Sequence, residues 1–155
     1  MENPKTLEER IRLLEDREAI KELTSRYFWH AVRGETAAMA SLFTADGVFD
    51  ATPAGGPWVA QGFVNLVKYF DLVMKPVPTA IPTVHNHIMT IEGDEASGTC
   101  VLDTPIGGKF GGGFVGYYKD RYRRENGHWR FVERLFDNYA VFQKGPEAEI
   151  KPVQN

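Results

Sequence analysis

The chain lacks the features that define several large classes of protein. Its 155 residues include one cysteine, Cys100, which excludes an internal disulfide and with it a small disulfide-stapled secreted scaffold. No apolar run approaches the length of a membrane-spanning helix, and the N-terminus lacks the basic, apolar and small-residue order of a signal peptide. These absences predict a cytoplasmic protein that has no membrane partner.

An excess of charge of one sign is also missing. The sequence has 18 basic and 21 acidic residues and a formal net charge of −3, so it offers no electrostatic basis for binding nucleic acid. With 43% hydrophobic and 25% charged residues, the composition is that of an ordinary globular domain. We predict one domain over residues 1–143 and a polar, proline-containing tail over residues 144–155.

The first half of the chain has apolar residues at three- and four-residue spacing, which predicts amphipathic helices. The longest one includes residues 16–33, carries Tyr27 on its buried face and ends at Gly34. A short helix over residues 38–43 and a third over residues 63–73 follow.

The second half is dominated by strand-like runs. They cover residues 83–91, 95–103, 113–125 and 128–141, after two shorter strands at 47–51 and 58–61. Asn126-Gly127 separates the last two runs and is a strong signal for a tight hairpin. Helices first and strands last predict an α+β fold with an antiparallel sheet.

Three segments carry motifs in a fixed order. Residues 16–50 open with Asp-Arg-Glu-Ala-Ile, contain Arg26-Tyr27 and close with Leu-Phe-Thr-Ala-Asp-Gly-Val-Phe. Residues 86–96 place Gly-Asp seven residues after an asparagine, and residues 117–130 end in Asn-Gly-His-Trp-Arg. Together these motifs resemble the SnoaL-like branch of the NTF2-like superfamily over about residues 7–142. The resemblance implies an α+β cone of the cystatin-like type, in which N-terminal helices pack in a curved, mainly antiparallel sheet around a mostly apolar pocket.

The same resemblance implies where reacting groups belong. In dehydratases of this family a tyrosine at the place of Tyr27 polarises the substrate, and an aspartate five residues later works with a histidine of the third strand. This sequence has Val32 and Pro82 at those two places, so the dehydratase mechanism does not carry over directly. His85 lies in the strand of the family's histidine, and Asp103 lies near a second acidic or histidine position of some members.

We therefore predict Tyr27, His85 and Asp103 as the catalytic set, because a phenol, an imidazole and a carboxylate can together move protons. His30 follows Tyr27 by three residues, shares roughly its helix face and is the reserve base. Each of these residues also has an ordinary structural explanation as a hydrogen-bonded side chain of the core or of a turn.

Aromatic and polar side chains near the proposed pocket are predicted to contact a ligand. They are Phe28, Trp29, Val32, Trp58, Asn86, Phe110, Arg134 and Asn138. The aromatic members favour a flat apolar or aromatic compound, although core packing explains any one of them equally well.

Two motifs are weak evidence for a cofactor. Residues 111–116 satisfy G-x-G-x-x-G but lead into a strand, so they predict no dinucleotide site. His85 and His87 would share one strand face and could bind a metal with Asp103, but strand spacing alone is a poor criterion. We predict no metal and no cofactor.

The leading functional hypothesis is a cofactor-independent lyase or isomerase that acts by proton transfer on a small cyclic or aromatic compound, as a dehydratase, cyclase or carbon–carbon lyase does. A non-catalytic protein that binds a small hydrophobic ligand is one alternative. The other is a small β-type subunit of an aromatic-ring dioxygenase. We also predict a homodimer or higher homo-oligomer that pairs through the outer sheet face, since the strands are too apolar for a solvated face.

Overall fold

Three helices and a six-stranded sheet account for most of the chain in the computed structural model, which describes residues 6–74, 80–107 and 112–142. The helices are α1 (Leu7–Arg33), α2 (Thr36–Ser41) and α3 (Phe63–Met74), and the strands are β1 (Phe43–Asp50), β2 (Ala60–Gln61), β3 (Thr83–Glu92), β4 (Glu95–Pro105), β5 (Gly113–Glu125) and β6 (His128–Phe142). The predicted α+β class is confirmed. The predicted tail at 144–155 and Phe110 lie outside the described residues.

The sheet has the order β2-β1-β6-β5-β4-β3. Neighbouring strands pair antiparallel, except that β1 and β6 run parallel. The first strand of the chain therefore lies beside the last. Asn126 and Gly127 join β5 to β6 with φ values of 51° and 79°. Two consecutive positive φ angles match the type I′ turn that suits a two-residue hairpin, as the Asn-Gly pair predicted.

The boundaries of α1 follow from its end residues. Thr6 and Glu9 form a reciprocal capping box at the first turn, and Gly34 ends the helix in the left-handed conformation, with φ 69°. The helix therefore begins earlier than the apolar spacing from Asp16 indicated. Its first turns expose Leu7 and Leu14, so no buried face marks them in the sequence.

The buried face of α1 packs in the concave side of the sheet. Ile20, Leu23 and Tyr27 are at most 7% exposed and belong to one hydrophobic core. Asp16 fastens the same helix to the β5–β6 hairpin, because its Oδ1 accepts hydrogen bonds from Arg124 (2.6 Å) and from the indole Nε1 of Trp129 (2.9 Å). No helix of the described residues is long and apolar enough to cross a membrane.

Candidate functional site

A cavity of about 610 Å³ lies between α1, α3 and the inner face of the sheet. Most of its wall is apolar, with side chains from α1 and α3 facing those from β4, β5 and β6. The apolar side chains of the wall are Phe28, Ala31, Val32, Met39, Phe49, Ala51, Ala54, Pro57, Phe70, Val73, Met74, Ala80, Pro82, Leu102, Ile106, Phe114 and Phe136. A concave site of this size and composition suits a small organic molecule.

The polar groups of the described wall are few and almost all uncharged. They belong to Tyr27, Tyr69, Tyr118, Thr36 and Thr104, together with the guanidinium of Arg33. That guanidinium is already engaged, since its Nε donates to Glu35 at 2.7 Å and its plane lies over Trp29. No aspartate, glutamate or histidine belongs to the described wall, so this part of the cavity holds hydrogen-bond donors and no base.

Two tyrosines form the floor of the cavity. Tyr27 of α1 and Tyr118 of β5 are 3% and 7% exposed, and their ring centroids are 6.3 Å apart in an edge-on arrangement. Burial raises the pKa of both phenols, so both are neutral at physiological pH. The two hydroxyl groups also interact with each other, and this interaction raises the pKa of Tyr27 and acts to lower that of Tyr118.

A buried cation lies behind this floor. The Arg134 guanidinium carbon is 4.0 Å from the ring centroid of Tyr118 and 4.4 Å from that of Tyr27. Phe131 and Phe28 complete the aromatic surround at 4.3 Å and 5.2 Å. Burial is the largest single effect and lowers the pKa of Arg134, but the charge and hydrogen bonds of Asp120, together with Cys100 and Tyr118, outweigh it, so the pKa is raised. The cation therefore persists, and it also acts to lower the pKa of Tyr118 against the effect of burial.

The charge of Arg134 is balanced by a hydrogen-bonded chain that leads away from the cavity. Arg134 donates to both oxygens of Asp120 at 2.9 Å, and the Tyr122 hydroxyl donates to Asp120 Oδ2 at 2.8 Å. His87 Nε2 lies 3.0 Å from the same hydroxyl. Because Tyr122 already donates to Asp120, Nε2 of His87 must carry a proton and donate. Burial lowers the pKa of His87, so the ring is neutral with Nδ1 unprotonated.

The Cys100 thiol lies beside the same buried cluster and is unreactive. Its sulfur is 3.9 Å from Arg134 Nη2, and burial raises the pKa of the thiol to about 11. A thiol of that pKa carries almost no thiolate near neutrality, so it is no nucleophile for cavity chemistry.

Only some of the residues predicted from the sequence lie in the cavity wall. Tyr27, Phe28 and Val32 line it, and so does Pro82 at the place of the family's histidine. The two places that the resemblance assigns to an acid–base pair therefore do face the cavity. Both are apolar in this chain, which accounts for the absence of a base there.

His85 and Asp103 do not lie in the described cavity wall. His85 Nε2 pairs with Asp103 Oδ2 at 3.1 Å, but both side chains are about half exposed and neither lines the cavity. Strand alternation explains this, because Val84 and Leu102 are register partners that point into the core, and their neighbours must point outward. A bulge between Val84 and His87 does exist, but it turns His87 inward to Tyr122 and leaves His85 outside. The two histidines thus do not share a face, contrary to the metal-site alternative.

Other predicted residues also lie away from the wall. His30, in the last turn of α1, pairs through Nδ1 with Oε2 of Glu35 at 2.7 Å. Trp29 is 60% exposed. Asn86 is exposed on β3, and Asn138 on β6 is half-buried without reaching the wall. Trp58 does not line the cavity but packs against Tyr69, which does, with ring centroids 5.5 Å apart. Arg134 lies behind the floor, and the rings of Tyr118 and Tyr27 separate its guanidinium from the cavity.

Sequence reasoning missed Tyr118, Asp120 and Tyr122, which lie on one face of β5. Their signal was present as the alternation Tyr-x-Asp-x-Tyr, because residues two apart point to the same side of a strand. A carboxylate between two inward-facing tyrosines requires a buried partner. Arg134 is that partner, at the register position opposite Asp120.

Comparisons with known proteins agree with this architecture. A sequence profile of the SnoaL-like domain matches residues 12–135, which is most of the chain. The protein belongs to the SnoaL-like family. No curated protein matches its sequence at a significant level.

Solved structures of similar fold come from several bacteria. An NTF2-like protein with a cystatin-like fold from Novosphingobium aromaticivorans is 27% identical, with a TM-score of 0.78 over 89% of this chain and 91% of that one. A putative aromatic ring hydroxylase from the same organism is 25% identical, with a TM-score of 0.74 over 84% and 93%. The hexachlorocyclohexane dehydrochlorinase LinA-type3 from Novosphingobium barchaimii is 18% identical, with a TM-score of 0.81 over 92% of this chain and 99% of that one. This SnoaL-like protein therefore has the same fold as the dehydrochlorinase.

Proposed function

We propose that this SnoaL-like protein binds a small, neutral and largely apolar molecule in the cavity, and that the Tyr118 hydroxyl donates a hydrogen bond to an oxygen of that molecule. The observation that carries the proposal is the pair of neutral tyrosines at the floor of an otherwise apolar wall. The interactions of Tyr118 with Arg134 and with Tyr27 act to lower its pKa, which makes its neutral hydroxyl a better hydrogen-bond donor than burial alone would leave it.

The charges around the cavity support a neutral ligand. An anionic ligand would need a free cation, but Arg33 is paired with Glu35 and Arg134 is sealed behind the tyrosine rings. A cationic ligand would need a carboxylate, and the described wall offers none. The volume is ample for two or three fused rings.

A lyase or isomerase that uses proton transfer is the second candidate, favoured by the buried cation under Tyr118. A neutral phenol supported by a cation can stabilise negative charge that develops on a substrate oxygen during enolisation or elimination. A dehydrochlorinase is among the proteins that share the fold. The described wall supplies the donor half of such a reaction and no base, so ligand binding is the better supported conclusion.

A matched pair of ketone and hydrocarbon tests the binding proposal. 2-Tetralone and tetralin have the same bicyclic shape, and only the ketone has an oxygen that accepts a hydrogen bond. Since one hydrogen bond contributes about 0.5–1.5 kcal/mol net, the ketone should bind about two- to tenfold more tightly in calorimetry. In Tyr118→Phe this preference should vanish, whereas Tyr139→Phe, which removes an exposed hydroxyl, should retain it.

Absence of binding by both compounds, or an unchanged preference in Tyr118→Phe, would contradict the proposal. The second candidate is tested with the same ketone in heavy water. A proton-transferring enzyme should accelerate exchange of the protons next to the carbonyl, followed by NMR, and Tyr118→Phe should slow this exchange. Exchange at the rate of the protein-free solution would remove the lyase or isomerase candidate and leave the binding function.

A further inference from the structure

The cavity wall contains a further hydroxyl, away from the two on its floor. Thr104 lies on β4 and is 3% exposed, and its Oγ1 has no hydrogen-bond partner in the described part of the chain. Its side chain is on the cavity face with Leu102 and Ile106. An unpartnered buried hydroxyl destabilises the folded protein, and valine has nearly the same shape without that penalty.

Another threonine of the wall shows the contrast. The Thr36 hydroxyl donates to Asp71 Oδ1 at 2.7 Å, so its hydrogen-bonding capacity serves the protein itself. The Thr104 hydroxyl has no partner within the described chain, and its residue belongs to the wall of the space that a ligand would occupy. A hydroxyl can donate and accept, so it suits either kind of polar group on a ligand.

The register of the sheet sets the levels along the strands at which Tyr118 and Thr104 lie. Tyr118 is paired with Cys100, and Thr104 follows Cys100 by four residues on β4. At about 3.4 Å per residue, the two levels of the sheet are about 14 Å apart. A ligand that contacts both residues is therefore elongated along the strands.

The wall between these two levels is flat and aromatic. A Cβ atom at Gly116 would lie 2.6 Å from the Phe136 ring, so only glycine lets that ring cross β5 at this level. Phe136 then contacts Tyr118 on one side, with ring centroids 5.1 Å apart, and Phe114 on the other, at 5.7 Å. Phe114 is the register partner of Thr104. A continuous aromatic surface thus joins the two polar ends.

We infer that Thr104 forms a second polar subsite, and that the ligand is an elongated molecule of two or three fused rings with a hydrogen-bonding group at each end. This inference rests on the proposed function, because it assigns one end of the ligand to Tyr118. The ring system lies along Phe136, and the far polar group reaches Thr104.

The test compares 2-tetralone with 6-hydroxy-2-tetralone, whose oxygens are at opposite ends of the bicycle. The readout is the ratio of the two dissociation constants within each variant. In the unmodified protein the added hydroxyl should tighten binding about two- to tenfold. Thr104→Val should reduce this ratio to about one, and Thr104→Ser, which keeps a hydroxyl, should retain it. 8-Hydroxy-2-tetralone, whose two oxygens are close together, should gain nothing in any variant.

A ratio that survives in Thr104→Val overturns the inference, and so does an equal gain with the 8-hydroxy isomer. The melting temperature without ligand is a second readout, because removal of an unpartnered hydroxyl should leave it unchanged or raise it. A marked fall in Thr104→Val and not in Thr104→Ser would show a structural partner for Thr104 and would also overturn the inference. If 2-tetralone keeps its Tyr118-dependent preference over tetralin while the 6-hydroxy compound gains nothing, this inference fails and the proposed function stands. If that preference is absent, both fail.

Discussion

Arg134 and Asp120 meet through two parallel hydrogen bonds, from Nε to Oδ1 and from Nη2 to Oδ2, and neither side chain has any surface exposed to water. The two residues are opposite each other on β5 and β6. Nη1 of Arg134 has no acceptor in the described chain, and the guanidinium carbon lies over the rings of Tyr118 and Phe131. Each charge is therefore compensated by the other, and the tyrosines of the cavity floor pack against the guanidinium of this pair.

Removal of the negative partner should destabilise the protein strongly. Asp120→Asn leaves the Arg134 cation buried without a counter-charge, which typically costs about 3–5 kcal/mol in the free energy of unfolding. Urea denaturation followed by circular dichroism measures this change. Asp46→Asn is the control, because it makes the same chemical change in an exposed ion pair with Arg123 and should have little effect. A stability of Asp120→Asn close to that of the unmodified protein would show that the charge of Arg134 is balanced in another way.

Buried phenols should make the protein sensitive to alkali. Burial raises the pKa of Tyr27, Tyr118 and Tyr122, whereas the same side chains in the unfolded chain ionise near pH 10. Above that pH the unfolded state binds fewer protons than the folded state, so the free energy of unfolding falls as pH rises. The stabilisation is complete below about pH 10 and is lost above it.

Absorbance of tyrosinate measures this effect directly. At pH 11 fewer than the 6 tyrosines of the sequence should ionise in the folded protein, and all of them should ionise in concentrated urea. Tyr118→Phe should lessen the fall of stability with pH above pH 10. Equal ionisation in the folded and unfolded proteins would refute the prediction.

The outer face of the sheet remains the predicted site of self-association. Ile88 and Tyr139 are each 67% exposed there, and Leu135 lies beside Lys119 and Arg121 on the same face. Large exposed apolar side chains grouped on a sheet face are usually covered by another surface. We therefore expect a dimer in sedimentation velocity at micromolar concentration.

A charged substitution on that face should dissociate the dimer. Ile88→Lys should shift the protein to a monomer, because a dimer would bury the new ammonium group in an apolar contact. Val64→Lys on α3 is the control, since Val64 is 76% exposed on another surface. A monomeric unmodified protein would exclude the predicted dimer.

The sequence was a good guide to the fold because most elements bury one face. The bounds of α3 and of β3 to β6 followed from spacing to within two residues, whereas β1 begins at Phe43, which the prediction had placed in the short helix. Asn126-Gly127 marked the hairpin without any tertiary information. The start of α1 was missed since Leu7 and Leu14 are exposed there, so the capping residues set the boundary and the apolar pattern did not.

The candidate site was harder to predict, because it depends on which face of a strand each residue occupies. Val84 points inward, so His85 points outward, and only the bulge that follows decides that His87 turns inward. A bulge has no reliable sequence signature. The partnership of Arg134 with Asp120 depends on the register of β5 and β6, which alternation alone does not specify.

The attachment of Asp16 to Arg124 and Trp129 joins residues 108 and 113 positions apart in the chain. On a ribosome, α1 emerges long before either partner is made. Its apolar face therefore has no sheet to pack against until the β5–β6 hairpin has been synthesised. Folding of the domain must therefore wait for the synthesis of β6 and is governed by distant contacts, which makes it slower than that of a helical bundle of similar size.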